Sequence, residues 1–504
     1  MLAQVNSFVL QGIEPAICEV EVDVADSGLP KVQVVGLPDA AVKESVERVR
    51  SATINSGYTF PDGRVLMSLA PGDKPKSGPV YDLPLAIGLL CARQVITTDR
   101  HRGFLFAGEL ALDGRLRPIH GAINLALLAR QVNAQGVVVP AANAAEASAV
   151  TGVQVYPAET LGQVVGFLNG LHPIEPVAPL NTEADLTAAG AAIDFADIRG
   201  QEGVKRAMTI AASGGHNILM IGPAGTGKSM SAKALPGILP PLSRDEALEV
   251  TRIYSSVGQV PAGRSLLTTR PVRSPHHTAS PVAVVGGGSN PRPGEVSLAH
   301  HGVLFLDEMP EFPRSVLETL RQPMEDGHVT IARASGSIRY PAQFQLVAAM
   351  NPTPGSGDQP TDSISQRQMD KYMSKISGPL IDRIDIHVDV PPVPFGQLTG
   401  PRTGTNSATL RARVIAARAI QSARNGGPLR TNSTLAGREL DQWAALPADA
   451  SELLKQAMTD LGLSARAYDK VRRVARTIAD LENASSLALH HVAEAIQYRL
   501  LDRR

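Results

Sequence analysis

The chain has 504 residues, enough for about three domains. Its hydrophobic fraction is 43%, and 48 Lys plus Arg balance 48 Asp plus Glu, which excludes a broadly basic nucleic-acid coat while leaving room for a local basic patch. Two distant cysteines, Cys18 and Cys91, exclude a disulfide framework and fit a reducing compartment. The opening MLAQVNSFVLQG lacks the pattern of a secretory leader. No apolar run reaches the roughly 18 residues of a membrane span, so a cytoplasmic protein with no membrane partner is expected.

In chain order, Ile17, Val20, Val22 and Val24 fall in a β-like run, followed by a turn at Asp26-Ser27-Gly28 and a second run, KVQVVG. Asp39 is placed to cap a helix reaching about Ser56, with Val42, Val46 and Val49 on one face. FLFAGELALDGRLRPI reads as a hairpin turned at Asp113-Gly114. VVVP, 137–140, reads as a buried strand. Residues 171–192, with three prolines and then an Ala/Thr/Gly run, read as a linker. A strand–loop–helix unit follows near 218–235. Two apolar strands end at 303–308 and at Asn351, the succession of an α/β nucleotide-binding domain. From about 405 onward the chain reads as helical and rich in Ala and Arg.

Residues 222–229 read GPAGTGKS and match G-x-x-x-x-G-K-[ST], with an apolar strand candidate before and a helix candidate after. Gly222, Pro223, Ala224, Gly225, Thr226 and Gly227 form the phosphate-wrapping loop, Lys228 neutralises phosphate charge, and Ser229 offers a hydroxyl to Mg²⁺. In GVLFLDE, a buried strand delivers Asp307 as a Mg²⁺ partner and Glu308 to polarise the attacking water. Asn351 either helps position that water or ends its strand in a local turn with Pro352. Arg383, in SGPLIDRID, is either a surface ion-pair residue or a finger reaching a neighbouring subunit's γ-phosphate. Arg466 opens an amphipathic helix and is a candidate nucleotide sensor in cis, in competition with Arg472, Arg473 and Arg476.

Four long segments carry a family resemblance: the one around GPAGTGKS, residues 271–327, SGPLIDRIDIHVDV and LSARAYDKVRRVARTIADLE. They resemble the magnesium-chelatase-like AAA+ ATPases of the YifB/ComM family. The resemblance covers nearly the whole chain from GLPDAAVKESVERVRSA onward. It implies an α/β fold with a Lon-protease-like α+β domain at 1–170, a linker at 171–192, a P-loop AAA+ core at 193–400 and a C-terminal helical lid at 401–504. It further implies Asn351 as sensor 1, Arg383 as arginine finger, Arg466 as sensor 2, ATP and Mg²⁺ as cofactors, and a homo-hexameric ring. The stretch between the two Walker motifs would be the helix-2 insert, and GHVTIARASGSIRYPAQF the pre-sensor hairpin, turned at Ser335-Gly336-Ser337. Relatives of the ComM type resemble helicases that drive branch migration during natural transformation, which implies single-stranded or branched DNA as partner.

Two departures matter. Where many relatives carry a cysteine cluster, this chain reads NPTPGSGDQPTDSISQRQ, without the soft ligands zinc requires, so no zinc is expected there. Where the Lon domain has its serine nucleophile and lysine, the chain has Pro79-Val80-Tyr81-Asp82 and Leu125. The serine–lysine chemistry is therefore missing, and docking or assembly is the expected role. Ser77 and Lys76 lie nearby as sequence neighbours.

Other residues invite a sharper reading. His276-His277 and His300-His301 suggest a metal, but adjacent strand residues face opposite ways, so structural hydrogen bonds or substrate contact are expected. Gly286-Gly287-Gly288 with SNPRPGE reads as a flexible pore loop or a solvated turn. Arg273 and Arg292 are candidate phosphate contacts, and Tyr254 and Tyr340 the candidate stacking aromatics. Arg411, Arg413, Arg418 and Arg424 are expected on a solvated helix face. The functional expectation is an ATP-driven DNA motor. The alternatives are an ATP-dependent remodelling or assembly module and a porphyrin magnesium-chelatase ATPase subunit.

Overall fold

The computed structural model describes residues 1–25, 29–178, 186, 193–288, 290–333, 336–353, 372, 374–399, 404–427, 430–499 and 501. The turn at 26–28, most of the linker run, Ser335 and nearly all of the segment expected to lack zinc fall outside them. The chain divides into two compact units, 1–186 with 243–268, and 187–242 with 269–504. Among the described residues no helix is long and apolar enough to cross a membrane.

The first unit is built on a seven-stranded sheet. Its strands are Leu2–Gln11 (β1), Glu14–Ala25 (β2), Lys31–Val35 (β3), Arg64–Ala70 (β4), Phe104–Phe106 (β5), Gly136–Pro140 (β6) and Gln154–Ala158 (β7), in the order β3-β4-β2-β1-β5-β6-β7. β1 and β2 pair antiparallel from Leu2↔Asp23 to Gln11↔Glu14, and Gly12 takes φ 69° in the tight connection between them. Cys18, Val20, Val22 and Val24 of β2 alternate into the core, the period-two pattern of the sequence. The helix Ala40–Asn55 starts where expected, Asp39 Oδ1 accepting from the Val42 N–H at 2.8 Å.

One expectation is corrected here. Phe104-Leu105-Phe106 is not an arm of a hairpin. It is a fully buried strand pairing parallel with β1 and β6, and the hairpin around Asp113-Gly114 is confined to Glu109–Leu110 and Leu116–Arg117. Three consecutive buried apolar residues suit the middle of a sheet covered on both faces better than a half-exposed hairpin.

Residues 243–268 belong to this unit although they lie between the two Walker motifs. Ser243 and Glu246 form a capping box at the start of helix Arg244–Ser256. The helix is held by buried polar bonds: the Gly121 N–H donates to the Ser255 carbonyl at 3.1 Å, the Ser255 hydroxyl to Glu146, and Arg252 Nε to Asn124 Oδ1 at 3.1 Å. Where the missing protease groups align, the buried Asp82 carboxylate accepts from Arg48 Nε at 2.7 Å and Leu125 is buried; nearby, Lys76 donates to the Pro71 carbonyl.

The second unit has a parallel five-stranded sheet of Ile218–Ile221 (β8), Val272–Arg273 (β9), Val303–Leu306 (β10), Gln345–Met350 (β11) and Ile386–Asp389 (β12), in the order β9-β10-β11-β8-β12. Its apolar runs share one hydrophobic cluster with helices Glu202–Gly214, Ser407–Asn425, Ala465–Leu481 and Leu489–Gln497, through residues such as Met208, Val347, Val414, Ile478 and Val492. The arginines of helix Ser407–Asn425 do not all lie on a solvated face. Arg411 donates to the Gly237 carbonyl, Arg418 to Ala212 and Arg424 to both oxygens of Asp480; Arg413 is exposed. Long side chains here satisfy buried carbonyls and a buried carboxylate, which helical periodicity alone does not reveal.

Asp385, just before β12, is buried against Lys470 Nζ at 3.2 Å, His216 Nδ1 at 3.5 Å and the Asn217 N–H at 3.2 Å. Burial alone would raise its pKa, but the Lys470 ammonium and His216 hold it well below the usual carboxylate range. The carboxylate therefore contributes stability above the ordinary Asp pKa, and that contribution is lost as pH falls toward the depressed value. Replacing Asp385 with Ala strands a buried ammonium and is expected to cost about 3–5 kcal/mol of stability. Adding Lys470→Met should recover part of it. Denaturant unfolding of both variants checks this, and a double variant no more stable than the single would contradict it.

Candidate nucleotide site

The loop at 222–227 lies between β8 and helix Lys228–Ala234. Gly225 and Gly227 take φ 78° and 93°, a region that favours glycine. Gly222 is required for another reason: a Cβ there would sit 2.2 Å from the Val390 carbonyl oxygen. Thr226 closes the loop by donating to the Pro223 carbonyl at 3.0 Å.

Side chains converge at the carboxyl ends of β8, β10 and β11, where parallel sheets place ligands. Lys228 Nζ donates to the Gly222 carbonyl at 2.6 Å, the Pro223 carbonyl at 2.7 Å and Asn351 Oδ1 at 3.2 Å. Burial lowers the pKa of its ammonium, with Asp307 and Glu308 acting in the opposite sense. The Ser229 hydroxyl donates to Asp307 Oδ2 at 2.6 Å. A hydroxyl and a carboxylate facing each other form a hard-oxygen pair that fits Mg²⁺. Asp307 Oδ1 accepts from the Glu308 N–H at 3.1 Å.

Glu308 is exposed and has φ 50°, a left-handed backbone uncommon outside glycine. His277 Nδ1 lies 3.8 Å from its Oε2. Arg383 is engaged within the chain by the Pro379 carbonyl at 2.7 Å and by Glu325. Of the four arginines on helix Ala465–Leu481, Arg466 is exposed and 3.7 Å from Asp382. Arg472 is buried and bonded to Ala444 and Leu440, Arg473 donates to Leu435, and Arg476 is buried against Asp480.

Several residues passed over in the sequence tie these parts together. Asn217 donates to the Arg383 carbonyl at 3.1 Å and accepts from the Leu346 N–H at 2.8 Å, joining the start of β8 to β11 and to the arginine segment. Gln201 bridges the Thr226 and Pro391 carbonyls, and the Tyr372 hydroxyl donates to the Asn351 carbonyl. A lone Asn, Gln or Tyr in a polar loop carries no motif signal. The identity of Asn217 as the residue before an apolar strand was the only available clue.

The paired histidines are not in strands, so the expectation that they point apart is corrected. The ring centroids of His276 and His277 lie 4.1 Å apart at a tilt of 35°, and those of His300 and His301 3.9 Å apart at 39°. His300 Nδ1 accepts from the Gln343 N–H at 3.0 Å, a structural role. A third cluster, Glu482 with His490 and His491, has metal-like spacing. However, His491 Nδ1 already accepts from the Ala488 N–H, so its Nε2 carries the proton it shares with Glu482 and is no free ligand atom.

The glycine-rich stretch enters a short hairpin. Gly286-Gly287 pair antiparallel with Arg292-Pro293, and a Cβ on Gly294 would meet the Gly286 nitrogen at 2.3 Å. Strands His328–Arg333 and Gly336–Pro341 form the second expected hairpin, with Gly336 and Ser337 already paired within it. Arg273 is bound by both oxygens of Glu295, and Tyr340 is buried with its hydroxyl on the Pro291 carbonyl at 2.8 Å. Neither is presented to phosphate or base; Arg292 is exposed.

The chain matches three family descriptions in succession: "Subunit ChlI of Mg-chelatase" over residues 20–143, "Magnesium chelatase, subunit ChlI" over 194–398, and "Magnesium chelatase, subunit ChlI C-terminal" over 404–499. It is 43% identical to the protein YifB of Salmonella typhimurium over 505 residues, covering 100% of this chain and 98% of the relative. It is also 43% identical to the competence protein ComM of Haemophilus influenzae over 506 residues, with the same coverage. The magnesium-chelatase 38 kDa subunit of Rhodobacter capsulatus is 30% identical over 198 residues, 36% of this chain and 56% of that subunit. The chain belongs to the YifB/ComM family of magnesium-chelatase-like ATPases.

Proposed function

We propose that this chain hydrolyses ATP to drive a homo-hexameric ring that moves single-stranded or branched DNA, in the manner of a branch-migration helicase. The observation that carries the ATPase half is the convergence of Lys228, Asn351, Ser229 and Asp307 within hydrogen-bond reach at one end of the parallel sheet. The DNA half rests on charge. Strands His328–Arg333 and Gly336–Pro341 and residues 286–293 contain no Asp or Glu and expose Arg292, Arg333 and Arg339, as a groove tracking a phosphate backbone requires. A full-length relative named for competence supports the same reading. The magnesium-chelatase reading has less support, because that relative matches only 36% of the chain.

In this mechanism Lys228, held by two loop carbonyls, would meet the β- and γ-phosphates, and Ser229 and Asp307 would hold Mg²⁺. The ion supplies charge neutralisation across the phosphates when bound. Glu308 accepts the proton of the attacking water, and the Asn351 amide orients that water against the γ-phosphate. Arg383 would exchange Glu325 for the neighbouring subunit's γ-phosphate, and Arg466 would reach nucleotide in its own subunit. The N-terminal unit, Lon-like in resemblance and without the protease groups, would serve docking or assembly.

Three outcomes are expected. Glu308→Gln should keep ATP binding and lose turnover by about 100-fold or more, whereas Lys228→Ala should weaken binding itself; wild-type turnover in Glu308→Gln would remove the base assignment. Arg383→Ala should bind nucleotide yet be inactive, and mixing it with Lys228→Ala subunits should restore some turnover in a steady-state assay; no recovery at any mixing ratio would argue against action in trans. Turnover should rise with single-stranded or four-way-junction DNA, and the rise should shrink as salt increases. Steady turnover indifferent to every DNA tested would instead favour the remodelling module.

A further inference from the structure

Gln201 stands at the start of helix Glu202–Gly214 with φ 59°, a left-handed backbone that a non-glycine residue adopts at a cost. Its side chain does not cap that helix. The amide nitrogen reaches two other segments instead, donating to the Thr226 carbonyl at 3.3 Å and to the Pro391 carbonyl at 2.6 Å. One belongs to the phosphate loop and the other to the chain just after β12. The helix behind Gln201 gives the amide a fixed base, because Val204, Ala207, Met208 and Ile210 are buried in the hydrophobic cluster under the sheet.

The first of these bonds fixes a peptide plane. In a trans peptide the carbonyl and the following N–H point in opposite directions. Holding the Thr226 carbonyl toward Gln201 therefore turns the Gly227 N–H away from it. Sterics alone would not do this. Gly227 takes φ 93°, a Cβ there would meet nothing within 4 Å, and glycine leaves the mirror-image conformations open as well. Two other loop carbonyls are held from within the loop. That of Pro223 accepts from the Thr226 hydroxyl at 3.0 Å and from Lys228 Nζ at 2.7 Å, and that of Gly222 from Lys228 Nζ at 2.6 Å. Gln201 supplies a restraint from outside the loop. With the Thr226 carbonyl committed to it, the Gly227 N–H is left to line the other side, where a run of backbone N–H groups binds an anion.

We propose that Gln201 is a positioning residue for nucleotide binding, its amide setting the Thr226–Gly227 peptide so that the Gly227 N–H is aimed at phosphate before the ligand arrives. This rests on the reading of 222–229 as the phosphate loop. The test is calorimetric titration of the full chain with ADP and with tripolyphosphate, which has phosphates but no base, in Mg²⁺ buffer. Gln201→Gly removes the amide while keeping the left-handed backbone comfortable. It is expected to weaken both ligands by the same factor, about ten-fold, the size that loss of one or two neutral hydrogen bonds supports. Gln201→Glu has the same length but sets an oxygen against two carbonyl oxygens, and should lose at least as much. In turnover, KM for ATP should rise by that factor and kcat should fall by less. Wild-type affinity in either variant overturns the proposal. So does a loss confined to ADP, which would place Gln201 on the base side, or a fall in kcat without a rise in KM. A clearly lower ligand-free unfolding midpoint in both variants would mark a merely structural residue and also overturn it. Wild type and Lys228→Ala run alongside separate the causes. A wild type that fails to bind either ligand, or a Lys228→Ala chain that binds both as wild type does, would mean that the reading of the loop failed. Weakened binding in Lys228→Ala with wild-type binding in Gln201→Gly would mean that only the role of Gln201 failed.

Discussion

Asp385 is a carboxylate sealed inside the second unit, and its burial is tolerable because two other parts of the chain meet it: His216 and the Asn217 N–H before β8, and Lys470 on helix Ala465–Leu481. The arrangement fixes more than charge. Lys470 also donates to the Ile384 carbonyl, as does Arg499 near the C-terminal end, and Asn217 donates to the Arg383 carbonyl. The start of β8 and the segments that carry Arg383 and Arg466 all adjoin the same cluster. The phosphate loop follows β8 directly, Arg383 is two residues before Asp385, and Arg466 is one helical turn before Lys470. A shift of any of the three segments would leave a buried charge unpaired, which is why they hold one register.

The opposite end of the sheet is built for change. Lys228 is surrounded by carbonyl and amide oxygens instead of a carboxylate, so its charge is oriented but not neutralised at contact distance. Glu308 is strained and exposed. Near Asp385, Arg383 and Arg466 each have one acidic partner among the described residues, Glu325 and Asp382. Partly exposed ion pairs are weak, so these arginines can be redirected by a phosphate without unfolding anything. Rigidity at Asp385 and exchangeable contacts at the nucleotide end are complementary demands on one sheet.

What the sequence made legible follows the reach of each signal. The strand–loop–helix near 218–235, the Asp39 cap and the buried strands at 303–306 and 345–350 depend on residues close together in the chain, and these local rules held. The misreadings concern partners distant in sequence. Arg411, Arg418 and Arg424 look like a solvated stripe until Gly237, Ala212 and Asp480 are brought to them. Phe104–Phe106 reads as a hairpin arm until β1 and β6 flank it. Helix Arg244–Ser256 sits between two Walker motifs in the chain, yet its polar partners, Glu146, Asn124 and Gly121, come from the first unit. No window of neighbouring residues contains that information.

The same bookkeeping bears on how a neutral protein could hold DNA. Equal numbers of acids and bases give no long-range attraction, so any affinity must come from where the arginines end up. Many end up inside: Arg273 on Glu295, Arg424 and Arg476 on Asp480, Arg472 and Arg473 on backbone carbonyls. An arginine so engaged has already exchanged water for a protein oxygen and has little left for a phosphate. Arg292, Arg333 and Arg339 differ in being exposed on two hairpins that are free of acids and joined through Tyr340 and Pro291. Local segregation of charge, not its total, is what would give this chain affinity for a phosphate backbone.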